Sequence, residues 1–152
     1  MILNRQREVR VALRPLKAFF AQIKRELEIE KADITICLVS DTEIARMNQE
    51  FRKKKGPTDV LSFPAQVRKR PLLAHRRHGA RATVQASTFL GDIAISPAAA
   101  RRNAARFGHP LNHEMRVLVL HGVLHLLGYD HEADQGQMDR VETGLRVKLR
   151  LT

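Results

Sequence analysis

Val9, Val11 and Leu13 alternate with Arg10, Ala12 and Arg14, which predicts a short first strand. Pro15 then opens a helix. Along it Leu16, Phe19, Phe20, Ile23 and Leu27 recur at helical spacing and form one apolar stripe. Ile34, Ile36 and Leu38 alternate again and predict a second strand. Ser40 with Glu43 three residues later is a capping box. Ile44, Met47 and Phe51 mark the inner face of the helix it starts, and Gly56-Pro57 stops that helix. Val60 to Phe63 reads as a third strand ended by Pro64. Phe89-Leu90 and Ile93-Ala94-Ile95 read as a fourth. Ser96-Pro97 is a cap followed by proline at the first helical position. The alanine-rich helix behind it runs to about Arg106, and Gly108 and Pro110 close it. A buried helix follows, apolar from Met115 to Leu120 apart from Arg116. Met138, Val141, Leu145 and Leu149 mark a last helix. Strands alternate with helices early, and helices gather at the end. The expectation is a single α+β domain over residues 1–152, with a small mixed four-stranded sheet and about five helices.

The buried helix carries the candidate chemistry. His121 and His125 are four residues apart, which places both rings on one helical face, one turn apart. Gly128 supplies the left-handed residue that commonly ends a helix. A turn there brings His131 back towards the other two. Tetrahedral zinc needs ligands from different directions, and the break provides the third. Three imidazoles leave a fourth position open to water, as at catalytic zinc sites. The set predicts one tightly bound ion per chain. Zinc is the first choice, and nickel, copper or ferrous iron also suit nitrogen ligands. A single histidine on an apolar helix is ordinarily a core or surface residue, and His75, His78, His109 and His113 are read that way. His113 stands two turns before His121, about 12 Å along the helix. Asp130 either partners a ligand's second ring nitrogen or is a turn residue after Gly128. The helical zinc peptidases have glutamate directly after the first histidine, as general base. Gly122 stands there, so a peptidase mechanism lacks its base.

Charge adds a partner. The 152 residues hold 27 Lys+Arg against 16 Asp+Glu, a net charge of +11, which favours a polyanion. Between Asp59 and Asp92 there is no acidic residue, and Arg68, Lys69, Arg70, Arg76, Arg77 and Arg81 lie within that stretch. Residues 66–88 lack a clear period and read as a basic loop that cannot bury enough apolar area to fold alone. The one cysteine, Cys37, excludes an internal disulfide and fits a reducing, cytoplasmic setting. No apolar run is long enough to span a membrane, and the N-terminus is not that of a signal peptide.

The stretch His121-Gly122-Val123-Leu124-His125-Leu126-Leu127-Gly128-Tyr129-Asp130-His131 resembles the signature of the YbeY family, bacterial metal-dependent endoribonucleases of ribosomal RNA maturation. Two further segments agree: Asn48 to Arg52 followed by Thr58 to Pro64, and Leu90-Gly91-Asp92-Ile93. The likeness runs from about Ile34 to Met138 and departs at residues 66–88, which are longer and more basic than the family pattern. It implies a zincin-like arrangement with a central metal helix holding zinc. It implies single-strand-specific cleavage in ribosomal RNA processing, including 3′-end maturation of small-subunit RNA, and a role in ribosome quality control. Implied partners are RNA, the small ribosomal subunit, ribosomal proteins and an Era-type GTPase, with no membrane. The resemblance gives Arg52 a direct catalytic role, because a guanidinium with paired donors suits charge developing on phosphoryl oxygens. Read without it, Arg52 is one of four basic residues at a helix end, favourable to the dipole. Lys53, Lys54 and Lys55, with Arg68, Lys69 and Arg70, are candidate RNA contacts or simply solvated. Two alternatives stand beside this reading. One is a ribosome-assembly factor that binds RNA around a mainly structural metal; the other is a zinc-dependent hydrolase of another substrate.

Overall fold

The computed structural model describes residues 1–65, 89–130 and 132–151. Its elements are β1 (Ile2–Asn4), α1 (Leu13–Glu26), β2 (Asp33–Leu38), α2 (Asp41–Arg52), β3 (Val60–Pro64), β4 (Phe89–Ile95), α3 (Pro97–Phe107), α4 (Leu111–Leu126) and α5 (Gln137–Lys148). The strands form one sheet in the order β1-β2-β4-β3. β1 and β4 each run parallel to β2, and β3 runs antiparallel to β4. The mixed four-stranded sheet, the five helices among the described residues and the α+β class therefore agree with the sequence pattern. The basic segment 66–88 lies outside the described residues.

The first strand is not where alternation placed it. Residues 9–12 are irregular and α1 already begins at Leu13, before Pro15. The strand is Ile2–Asn4, in register with Ile36–Leu38. The cause is one side chain. The buried Gln6 donates Nε2–H to the Val9 carbonyl and accepts the Val9 N–H on Oε1, both at 2.9 Å. Both backbone groups that a sheet would need from Val9 are taken, so Val9 is buried in a loop instead.

The centre of the molecule is α4. It contacts α1, α3, α5, β3 and β4, and is buried on most of its circumference. Ile23 of α1, Ile36 of β2, Ile93 of β4 and Leu120 and Leu124 of α4 are each 0–2% exposed. Each such side chain contributes about 1.5–3 kcal/mol relative to exposure. Gly122 makes the close approach possible. A Cβ there would lie 2.9 Å from Ile93 Cγ2, and the Gly122 carbonyl accepts the Ser62 hydroxyl at 3.1 Å. Helix and sheet are thus locked together one residue from His121.

α2 begins as expected, with the Ser40 hydroxyl accepting the Glu43 N–H at 3.1 Å. It ends because Lys53 is left-handed, with φ of 57°, and its N–H returns to the Asn48 carbonyl. Asn48 is buried and donates Nδ2–H to the Gly56 carbonyl at 3.0 Å, which ties down the turn beyond Arg52. Phe51 departs from expectation. It is 61% exposed rather than inward-facing; among the described residues its aromatic contact is with Phe63 of β3, the edge strand of the sheet as described. Asp41, at the start of α2, receives the Arg102 guanidinium at 2.6 and 3.1 Å and the Ser96 hydroxyl at 2.7 Å, joining α2 to α3. No helix among the described residues is long and apolar enough to cross a membrane.

Candidate active site

A cleft of about 810 Å³ opens where the end of α2, strand β3, the end of α4 and the following turn meet. Its lining includes Arg52, Ser62, His121, His125, Tyr129 and Asp130. The helical spacing does what it predicts. His121 and His125 lie one turn apart with their Nε2 atoms 3.0 Å from each other and ring centroids 4.6 Å apart. Two nitrogens on a tetrahedral ion at about 2.0–2.1 Å would be roughly 3.3 Å apart, so the pair converges at a metal-binding separation.

The orientation of His121 has a visible cause. Its Nδ1 donates to Glu142 Oε1 on α5 at 3.0 Å, and the Arg146 guanidinium lies 3.4 Å from the other oxygen. Burial pushes the Glu142 carboxyl up, but the His121 hydrogen bond and the charges of Arg146, His121 and His125 outweigh it. The group is held below the usual carboxylate range. An ionised Glu142 accepts only, so the proton of His121 sits on Nδ1 and the Nε2 lone pair faces the cleft. This nitrogen set and its carboxylate backing fit a transition-metal ion.

α4 ends at Leu126, and Gly128, with φ of 96°, turns the chain. The Gly128 N–H bonds the His125 carbonyl at 3.0 Å and the Tyr129 N–H bonds the Leu124 carbonyl at 3.1 Å. Asp130 and Glu132 both line the cleft. His131, between them, lies outside the described residues. Among the described residues no group of three His, Cys, Asp or Glu side chains is placed to hold an ion.

Asp130 makes a turn contact, one of its two anticipated roles; the other, towards His131, lies outside the described residues. Its Oδ1 accepts the Glu132 N–H at 3.0 Å, while the carboxylate beside His121 is Glu142. His113 stays apart from the pair. Its ring packs on His109 at 4.5 Å, and His109 shares a 2.5 Å hydrogen bond with the buried Glu114. Burial first, and His109 second, lower the His113 pKa. Lys53, Lys54 and Lys55 are exposed on the turn after α2 and are not part of the cleft lining. Arg68, Lys69 and Arg70 lie outside the described residues. Sequence reasoning misses Glu142 and Arg146. They carry a signal, a Glu–Arg pair at i,i+4 beside the apolar stripe of α5, but nothing local connects that pair to His121.

Comparison with known proteins agrees with the geometry. The family model described as Endoribonuclease YbeY matches residues 1–149. A protein named Endoribonuclease YbeY from Solibacter usitatus is 39% identical over 138 residues, covering 91% of this chain and 80% of that protein. Another of the same name, from Koribacter versatilis, is 36% identical over 151 residues, covering 99% and 86%. Among solved structures, the solution structure of TM1509 from Thermotoga maritima is 27% identical with a TM-score of 0.62, covering 98% of this chain and 89% of that one. The fold, the histidine pair and these relatives lead to one conclusion: the chain belongs to the YbeY family of endoribonucleases.

Proposed function

We propose that this protein cleaves single-stranded ribosomal RNA in the cytoplasm, with His121, His125 and His131 holding one zinc ion. The observation that carries the reading is the convergence of His121 and His125 Nε2 at 3.0 Å in a cleft also lined by Arg52. The ion, when bound, supplies Lewis-acid stabilisation of charge on the scissile phosphate. The remaining work belongs to the chain. Glu142 holds His121 in the tautomer that points Nε2 into the cleft. Arg52 offers paired donors to the phosphoryl oxygens as charge develops. Asn48 and the left-handed Lys53 fix the helix end that carries Arg52. The family resemblance extends the reading to 3′-end maturation of small-subunit ribosomal RNA and to ribosome quality control. The small subunit, its proteins and an Era-type GTPase are the partners.

A peptidase reading has a structural obstacle. The position of its general base is Gly122, and even a Cβ there would press on Ile93 in the core. The assembly-factor reading separates by experiment. His125→Ala should lose the metal and RNA cleavage while retaining most RNA affinity. Undiminished cleavage by metal-free His125→Ala would overturn the proposal. An intact, metal-loaded wild type that binds RNA without ever cutting it would favour the assembly factor.

A further inference from the structure

The cleft has an aromatic feature that metal and phosphate chemistry leave unused. Phe51 directly precedes Arg52, lines the same cleft and is 61% exposed. Phe107 is equally exposed, so exposure alone says little; what sets Phe51 apart is its place in the cleft lining beside Arg52. Its one aromatic neighbour among the described residues is Phe63 on β3, at 5.1 Å between centroids and 72° between planes. Phe63 itself is anchored against the small core cluster of Val39, Ile44, Leu61 and Ala94. The backbone beneath Phe51 is also fixed, since α2 ends one residue later at a left-handed cap held by Asn48. The result is a ring in a roughly perpendicular contact with an anchored partner, largely exposed and part of the cleft lining.

We propose that Phe51, backed by Phe63, is a stacking platform for one unpaired nucleobase of the bound strand, next to the phosphate that Arg52 contacts. The proposal rests on the reading that this cleft takes RNA. Stacking needs an open base face, and in a duplex both faces are covered by neighbouring pairs, so the platform selects single strands. It accepts any of the four bases, because each has a π-face. Phe51 is therefore a specificity-determining residue rather than a catalytic one.

The test compares wild type with Phe51→Ala, Phe51→Leu and Phe51→Trp, each checked for metal content and melting temperature. Affinity is measured at fixed salt for a short unstructured oligoribonucleotide and for a set carrying one abasic nucleotide at each position in turn. Phe51→Ala and Phe51→Leu should bind about 5- to 150-fold more weakly, the range of a base–aromatic stack, and Phe51→Trp should bind like wild type. One abasic position should weaken wild type by a similar factor and leave Phe51→Ala unchanged. The cleavage rate at saturating RNA should be little altered. Wild-type affinity in Phe51→Ala, full recovery by leucine, or equal abasic losses in wild type and Phe51→Ala would each overturn the platform, as would failure of wild type to bind the oligomer. Wild type that binds without cleaving would instead sink the endoribonuclease reading alone, since stacking is read from affinity.

Discussion

Arg52 and Glu142 stand on different helices and serve the cleft in different ways, so their variants separate cleanly. Arg52→Ala should lower turnover with metal content and melting temperature intact. Arg52→Lys should rescue poorly, because an ammonium lacks the planar fork. Equal cleavage rates in wild type and Arg52→Ala would remove Arg52 from the mechanism. Glu142→Ala should weaken zinc binding about 10- to 100-fold, as loss of a partner behind a metal-binding histidine does. Glu142→Gln should recover part of that, since its amide oxygen can still accept from Nδ1. Unchanged zinc affinity in Glu142→Ala, by competition with a chromophoric chelator, would show that α5 does not set the ligand. Gly122 is the third telling residue. Gly122→Ala gains about 1 kcal/mol of helix propensity. Overpacking against Ile93 costs about 1–3 kcal/mol. A lower melting temperature is expected, and a higher one would mean that Ile93 yields freely. The histidine pair is legible in the sequence because its spacing and the helical period are local. Glu142 is not, because its pairing with His121 spans 21 residues and depends on how α5 docks.

Helices here are easier to read than strands. The stripe of α1, the caps at Ser40 and Ser96 and the left-handed Gly108 are all as the sequence suggests. The misplaced first strand shows the limit. Alternation at Val9 to Leu13 is real, but Gln6 claims the backbone of Val9, and no rule of periodicity contains that side chain. Phe51 shows the same limit from another side, since its place in a helical stripe predicts an inward face and the ring is largely exposed. The tie between α2 and α3 gives a pH prediction. Hydrogen bonds from Arg102, aided by Ser96, lower the Asp41 pKa from its ordinary value of 3.8 despite partial burial. A depressed folded pKa stabilises the protein above the unfolded value, and that stabilisation is lost as pH falls through the folded one. Arg102→Ala should therefore cost stability at neutral pH, by no more than about 1 kcal/mol for so exposed a pair. The gap from wild type should close as pH drops below the normal carboxylate range. Urea denaturation of both proteins across pH checks this, and a gap that widens in acid would contradict it.

At the scale of the whole molecule, a net charge of +11 surrounds a cleft whose own lining includes Asp59, Asp130 and Glu132. Long-range attraction and local chemistry are thus supplied by different residues. Arg68, Lys69, Arg70, Arg76, Arg77 and Arg81 lie outside the described residues, and their prediction rests on charge alone. Glutamine at all six should weaken RNA binding and flatten the dependence of log affinity on log salt, by about 0.7 for each phosphate that is no longer neutralised. Metal content and melting temperature should hold. An unchanged salt slope would make the segment inert, and a large drop in stability would make it structural. Metal-dependent cleavage of single-stranded RNA stands or falls on metal analysis and RNA cleavage with one preparation, before chelation, after chelation and after zinc is restored. One transition-metal ion per chain is expected, with cleavage that disappears when the ion is removed and returns with zinc. His121→Ala and His125→Ala should show no recovery. Full cleavage by chelated, metal-free protein would contradict the metal-dependent mechanism.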